Sequence, residues 1–178
     1  MSHHYQDLIC LFEKTFAATM NTRLVKGDDE PLYSPANDIV SYHRIIFAHG
    51  FFSSALHEVA HWCLAGIQRR LLEDFGYWYV PDGRDSYQQK AFEQVEIKPQ
   101  AIEWAFCVAC NKKFDVSIDN LSGSGQTDRK LFKEAVFQQV AKYLEYGFPQ
   151  DAQLFITALA SYYNTPLPLT RSRFVLGD

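Results

Sequence analysis

Residues 51–66 read FFSSALHEVAHWCLAG, and within them His57 and His61 stand four apart with Glu58 beside the first. On a helix, positions four apart lie one turn along the same face with Cβ atoms about 6 Å apart, so two imidazoles can converge on one ion. The pattern therefore demands a helix, with an N-cap predicted at Ser53 or Ser54 and an end near Leu72. Leu56, Ala60, Cys63, Ile67 and Leu71 form its core stripe. Glu58 points about 100° away from the imidazole face. Its carboxylate could reach a water on the ion rather than the ion itself, which is the general-base position of zinc hydrolases. The competing reading is a polar helix face with two exposed histidines. Packing of Leu56, Ala60 and Cys63 in the same region half-buries both rings and favours the metal.

Two ligands do not hold a catalytic metal, so a third must come from elsewhere. The first candidate is Glu96, which lies just ahead of a helix that Pro99 is expected to open, where positive potential would keep the carboxylate ionised. Glu93 and His49 stand in reserve. His49 leaves the strand immediately before the motif helix, where capping or turn formation competes with ligation.

Around this centre the chain reads as a single domain over 1–178 of α+β class, a small sheet packed against several helices. Leu8, Leu11, Phe12 and Phe16 predict a helix over about Tyr5 to Thr19, ended by Asn21. NTRLVKGDDEPLYSPAND, with two prolines and an acidic cluster, reads as an irregular surface loop. RIIFAHG reads as a buried strand, and FGYWYVPDGRD as a second strand followed by a turn. A short polar helical piece around Ser86 to Phe92 and a helix from about Pro99 to Ala109 come next. Two more helices are expected, about Asp128 to Glu145 with Leu131, Ala135, Val140 and Leu144 inward, and about Pro149 to Tyr163 with Leu154, Ile156, Leu159 and Tyr162 inward. LSGSGQT, over 121–127, and the tail 165–178, with little to bury, are the least ordered parts.

Other clusters carry weaker signals. Cys107 and Cys110 in CVAC form a thiol pair, but a structural zinc site needs a second pair, so core packing is the better reading. Asp28, Asp29 and Glu30 are either a solvated loop or a docking surface for ammonium groups. Tyr77, Trp78 and Tyr79 read as core and cross-strand contacts.

Composition narrows the function classes. Of 178 residues, 17 are basic and 21 acidic, a formal net charge of −4 without a long basic run, which leaves no electrostatic footprint for nucleic acid and suits a cationic substrate. No apolar run approaches the roughly 20 residues needed to cross a bilayer, and the N-terminus lacks a basic region followed by an apolar one, so a cytoplasmic protein without membrane attachment is expected. Its 4 cysteines are too few and too scattered for a disulfide framework.

Types and spacing alone leave open zinc for hydrolysis or iron for oxygen chemistry at a two-histidine, one-carboxylate site. Four longer stretches go further: MNTRLVKGDDEPLY, RIIFAHGFFSSALHEVAHWCLAG, DFGYWYVPDGRD and FEQVEIKPQAIEWAFCVA. Together they resemble the elongation factor P hydroxylases, over about Tyr5 to Thr165. The resemblance implies a non-haem iron enzyme, Fe(II)- and dioxygen-dependent, that hydroxylates the β-lysylated lysine of elongation factor P. Carried over, the family's metal ligands fall on His57, His61 and Glu96, a facial triad that leaves up to three coordination positions free for dioxygen and a co-ligand. Glu58 then orients a ligand or bound water instead of acting as a peptidase base. A 2-oxoglutarate co-substrate would want a basic residue near the metal, for which Arg69, Arg70 and Arg84 are candidates. The runner-up is a zinc metallopeptidase with Glu58 as general base, and behind it a binding protein whose metal only staples helices together.

Overall fold

The computed structural model describes residues 2–76, 83–118 and 128–176. The chain begins with α1 (Tyr5–Phe12), a π-helical turn (Glu13–Ala17) and α2 (Ala18–Met20). Leu8, Phe12 and Phe16 are all buried, yet residues spaced strictly by four drift about 40° per step around an α-helix. The wider π turn cancels that drift between Phe12 and Phe16. Both rings therefore meet Trp62, at centroid distances of 5.3 and 4.9 Å. Asn21, left-handed at φ 47°, ends the segment as expected.

The segment read as an irregular loop instead contains two strands. β1 (Thr22–Lys26) and β2 (Leu32–Ser34) flank β3 (His43–Phe47) in a sheet of order β1-β3-β2, parallel on the β1 side and antiparallel on the β2 side. Thr22 and Leu24 alternate inward along β1. The two prolines, Pro31 and Pro35, stand immediately outside β2 on the sheet edge, where they remove no ladder bond. They delimit the strand; they do not exclude it.

The motif helix, α3 (Phe52–Leu64), is shorter than its apolar pattern suggests. Neither Ser53 nor Ser54 caps it: Phe51 is the N-cap, and Ser54 Oγ instead accepts from the Ala48 backbone N–H at 3.0 Å. At the other end Arg70 folds back, donating to the Trp62 carbonyl at 2.9 Å, stacking on the Trp62 ring at 3.9 Å and pairing with Asp151 at 2.6 Å. This satisfies one of the carbonyls a helix end leaves open, and Gly66, costly inside a helix, follows directly. Ile67 and Leu71, expected in the core, are consequently 79% and 58% exposed.

The polar piece and the expected Pro99 helix are one continuous element, α4 (Ser86–Ala109). Asp85 caps it through the Tyr87 and Gln88 N–H groups, and the Gln88 side chain returns a bond to Asp85 N, a reciprocal capping box. Pro99 therefore lies inside the helix, not at its start. The carbonyl it leaves without an amide partner is that of Val95, a residue 53% exposed, one turn before the buried Pro99. α5 (Arg129–Tyr146) and α6 (Gln150–Tyr163) follow the expected boundaries. The inward stripe of α5 is Phe132, Val136 and Val140; Leu131, Leu154 and Tyr162 face outward.

One core joins sheet and helices, the α+β arrangement expected. The tail contributes more than its sequence suggests: Leu169 and Phe174 are buried, and Phe174 meets Trp104 edge-on at 5.9 Å. The second predicted strand and the LSGSGQT loop lie largely outside the described residues.

Candidate metal centre

α3 packs along α4, and this contact builds the site. His57 and His61 project from one turn of α3, and Glu96 meets them from the middle of α4. The His57 and His61 Nε2 atoms are 3.1 Å apart. Glu96 Oε1 lies 3.1 Å from His61 Nε2, and Oε2 lies 3.6 Å from His57 Nε2. Two donors at right angles on an ion about 2.1 Å away would stand about 3.0 Å apart, and at a tetrahedral angle about 3.4 Å apart. The separations of His61 Nε2 from His57 Nε2 and from Glu96 Oε1, both 3.1 Å, thus suit ligand atoms gathered on one first-row metal ion. All the candidate ligand atoms lie within 4.8 Å of one another. The side chains retain 24%, 21% and 7% exposure for His57, His61 and Glu96, so the open side of the site is the histidine side.

Continuity of α4 decides what surrounds Glu96. Gln89, Glu93, Glu96, Gln100 and Glu103 recur at intervals of four and three, which on one unbroken helix makes a single stripe. Gln89, Glu96, Gln100 and Glu103 on that stripe are buried. Glu103 Oε2 accepts from His57 Nδ1 at 2.9 Å. With the Nδ1 proton held there, the Nε2 lone pair is left facing His61 and Glu96, the tautomer a metal requires. Glu103 escaped the sequence reading because the helix was broken at Pro99. The 4-3-4-3 recurrence of Gln and Glu across that proline was the available signal.

Electrostatics make the site a receptor for positive charge. Burial alone would depress the His57 imidazole, but the hydrogen bond to Glu103 and the charges of Glu96, Glu103 and Glu58 outweigh it and push the pKa up to about 10. For Glu96, burial pulls upward, while the charge of His61, its hydrogen bond and the charge of His57 hold the carboxyl down at about 2. The cause is thus the facing imidazoles; the helix-start potential expected for Glu96 is not present in mid-helix. Glu58 is half-buried, and burial raises its pKa, with His57 and His61 opposing. Three carboxyl groups facing two imidazoles recruit a proton at His57 when nothing else supplies a cation. A divalent ion supplies that charge directly.

The remaining candidates go elsewhere. His49 is exposed at φ 52° in the turn before α3, and Glu93 accepts from Gln89 Nε2 at 3.3 Å; neither joins the cluster. Cys63, Cys107 and Cys110 are buried, with burial raising their thiol pKa values, so they pack as small apolar side chains, whereas Cys10 is exposed. Arg70 is committed to Trp62 and Asp151. Buried Arg84 lies over the Phe92 ring and donates to Gln89 Oε1 and the Ile118 carbonyl. Asp28, Asp29 and Glu30 are exposed, with Asp28 3.4 Å from Lys26. No helix among the described residues is long and apolar enough to cross a membrane.

A relative from Haemophilus influenzae named elongation factor P lysine hydroxylase is 50% identical over 174 residues, covering 98% of this chain and 97% of its own. The family model described as elongation factor P hydroxylase matches residues 11–174, a span that includes both histidines of α3 and the whole polar stripe of α4. With a match of that extent and a relative of that identity, the chain belongs to the elongation factor P hydroxylase family.

Proposed function

We propose that this protein hydroxylates a lysine side chain of elongation factor P after β-lysine has been attached to it, at an Fe(II) site made by His57, His61 and Glu96. The observation that carries the reading is the meeting of two Nε2 atoms and one carboxylate within 4.8 Å in a chain of this family. The donor set fits: two imidazoles and one carboxylate on adjacent helices are the ligands of oxygen-using ferrous sites. Ferrous iron bound there supplies the dioxygen chemistry that a C–H hydroxylation needs and that no side chain provides.

The chain's own residues hold and shape the site. Glu103 keeps the Nδ1 proton of His57 and presents Nε2. Glu96 supplies a carboxylate that stays ionised throughout the physiological range. Glu58, beside the ligands on α3, adds negative charge to the half-open face, where it orients a water or the ammonium of a cationic substrate. Core packing by Leu56, Val59 and Ala60 at 0% exposure closes the inner side of α3 to water.

The test uses protein purified without oxygen, then supplied with Fe²⁺ or Zn²⁺, oxygen, a two-electron reductant such as ascorbate that carries the second oxygen atom to water, and elongation factor P carrying β-lysine. A mass gain of one oxygen atom on the factor, with iron only, is expected. No gain with iron, or zinc-dependent peptide cleavage abolished by Glu58→Gln, would overturn the proposal in favour of a metallopeptidase using the same three ligands.

A further inference from the structure

Gln100 lies one turn beyond Glu96 on α4 and is 0% exposed. A buried primary amide has two N–H donors and a carbonyl to satisfy. Here Nε2 donates to the Ser117 carbonyl at 2.7 Å and to Glu96 Oε2 at 3.3 Å, while Oε1 accepts from the Ser117 N–H at 3.0 Å. The pair of bonds to Ser117 fixes which end of the amide is nitrogen, because only an NH₂ can donate to that carbonyl and only the oxygen can accept from that N–H. The second Nε2 hydrogen is thereby aimed at Glu96.

The partner segment is itself anchored. Ile118 O accepts from Gln89 Nε2 at 3.3 Å and from Arg84 Nη2 at 3.2 Å, and Val116 beside it is buried. Gln100 therefore cannot swing away without breaking the backbone seat of Ser117. The bond from Gln100 distinguishes the two oxygens of Glu96, because it goes to Oε2. Oε1 lies 3.1 Å from His61 Nε2, whereas Oε2, the one that accepts from Gln100, lies 3.6 Å from His57 Nε2.

We propose that Gln100 is a positioning residue that makes Glu96 a one-oxygen ligand, its N–H engaging Oε2 so that Oε1 alone serves the metal. The inference rests on His57, His61 and Glu96 being the metal site. A carboxylate free to use both oxygens would occupy an additional coordination position, one of those a facial triad leaves open for reactants. Gln100 keeps that position free, and it acts through Glu96 without touching metal or substrate.

The test compares wild type with Gln100→Met, which keeps the length of the side chain and loses every hydrogen bond, both loaded with Co²⁺ under anaerobic conditions. The Co²⁺ visible absorption should lose intensity in the variant, as a second carboxylate oxygen raises the coordination number. With Fe²⁺, turnover of modified elongation factor P should fall about 10-fold in kcat with KM unchanged. A variant whose melting temperature drops while its Co²⁺ spectrum superimposes on that of wild type assigns Gln100 to structure alone and overturns the proposal. Failure of wild type to bind Co²⁺ would instead remove the metal site on which the proposal rests. Should Gln100→Met not fold, a crystal structure of the Co²⁺-loaded wild type decides: Oε1 on the ion with Oε2 on Gln100 supports it, and both oxygens on the ion overturn it.

Discussion

Replacing Glu103 with glutamine keeps a side-chain carbonyl within reach of His57 Nδ1 but removes the charge that faces it at 2.9 Å. Two consequences oppose each other. A neutral acceptor leaves His57 a poorer electron donor, and such partners of metal-bound histidines are worth about 10- to 100-fold in metal affinity, or about 1.4 to 2.8 kcal/mol. Yet Glu103 is also the principal cause that raises the His57 pKa to about 10 against burial, so in wild type a proton competes for Nε2 throughout the neutral range. In the variant that competition weakens. Apparent affinity of wild type should therefore climb about tenfold per pH unit towards the His57 pKa, whereas that of Glu103→Gln should level off earlier. The two curves diverge as pH rises, with wild type ahead at the alkaline end and the gap narrowed or closed near neutrality. Chelator competition with Co²⁺ between about pH 6 and pH 9 reads this directly. Parallel pH profiles, or equal affinities at the alkaline end, would refute the role assigned to Glu103.

Stability of the metal-free protein should follow the same proton. The folded His57 pKa of about 10 lies above its ordinary 6.5, so the stabilisation is fully present below about 6.5 and lost as pH rises towards about 10. Thermal melts of chelator-treated protein should fall across that window and those of metal-loaded protein should not. Arg70→Met removes charge-assisted bonds to Asp151 and the Trp62 carbonyl and should cost about 1.5 to 3 kcal/mol in denaturant unfolding; a double-mutant cycle with Asp151→Asn should show coupling above about 0.5 kcal/mol. Phe174→Ala should destabilise by about 3 to 5 kcal/mol, because the ring is only 4% exposed against Trp104. A change under about 0.5 kcal/mol would mean that the tail is not part of the core.

Interactions within about one helical turn were written in the chain itself. The spacing of His57 and His61 fixes their convergence wherever α3 is packed, and the apolar runs of α5 and α6 locate those helices. Even Glu96 can be nominated from residue type, although its ionisation comes from tertiary partners: the facing imidazoles, not a helix start, hold its pKa down against burial. What failed depends on partners far along the chain. β1 and β2 form because β3 lies between them to receive their hydrogen bonds, and their local polarity says nothing of that. α3 stops at Leu64, where Arg70 reaches back to Trp62 and Asp151, and α4 continues through a buried Pro99 where it packs against α3, α5 and α6. That continuity carries Gln100 and Glu103 to the site beside Glu96. Covalent order and helical pitch determine which residues share a face; only the packing of α3 on α4 determines which faces meet, since burial is set by contacts between segments far apart in sequence.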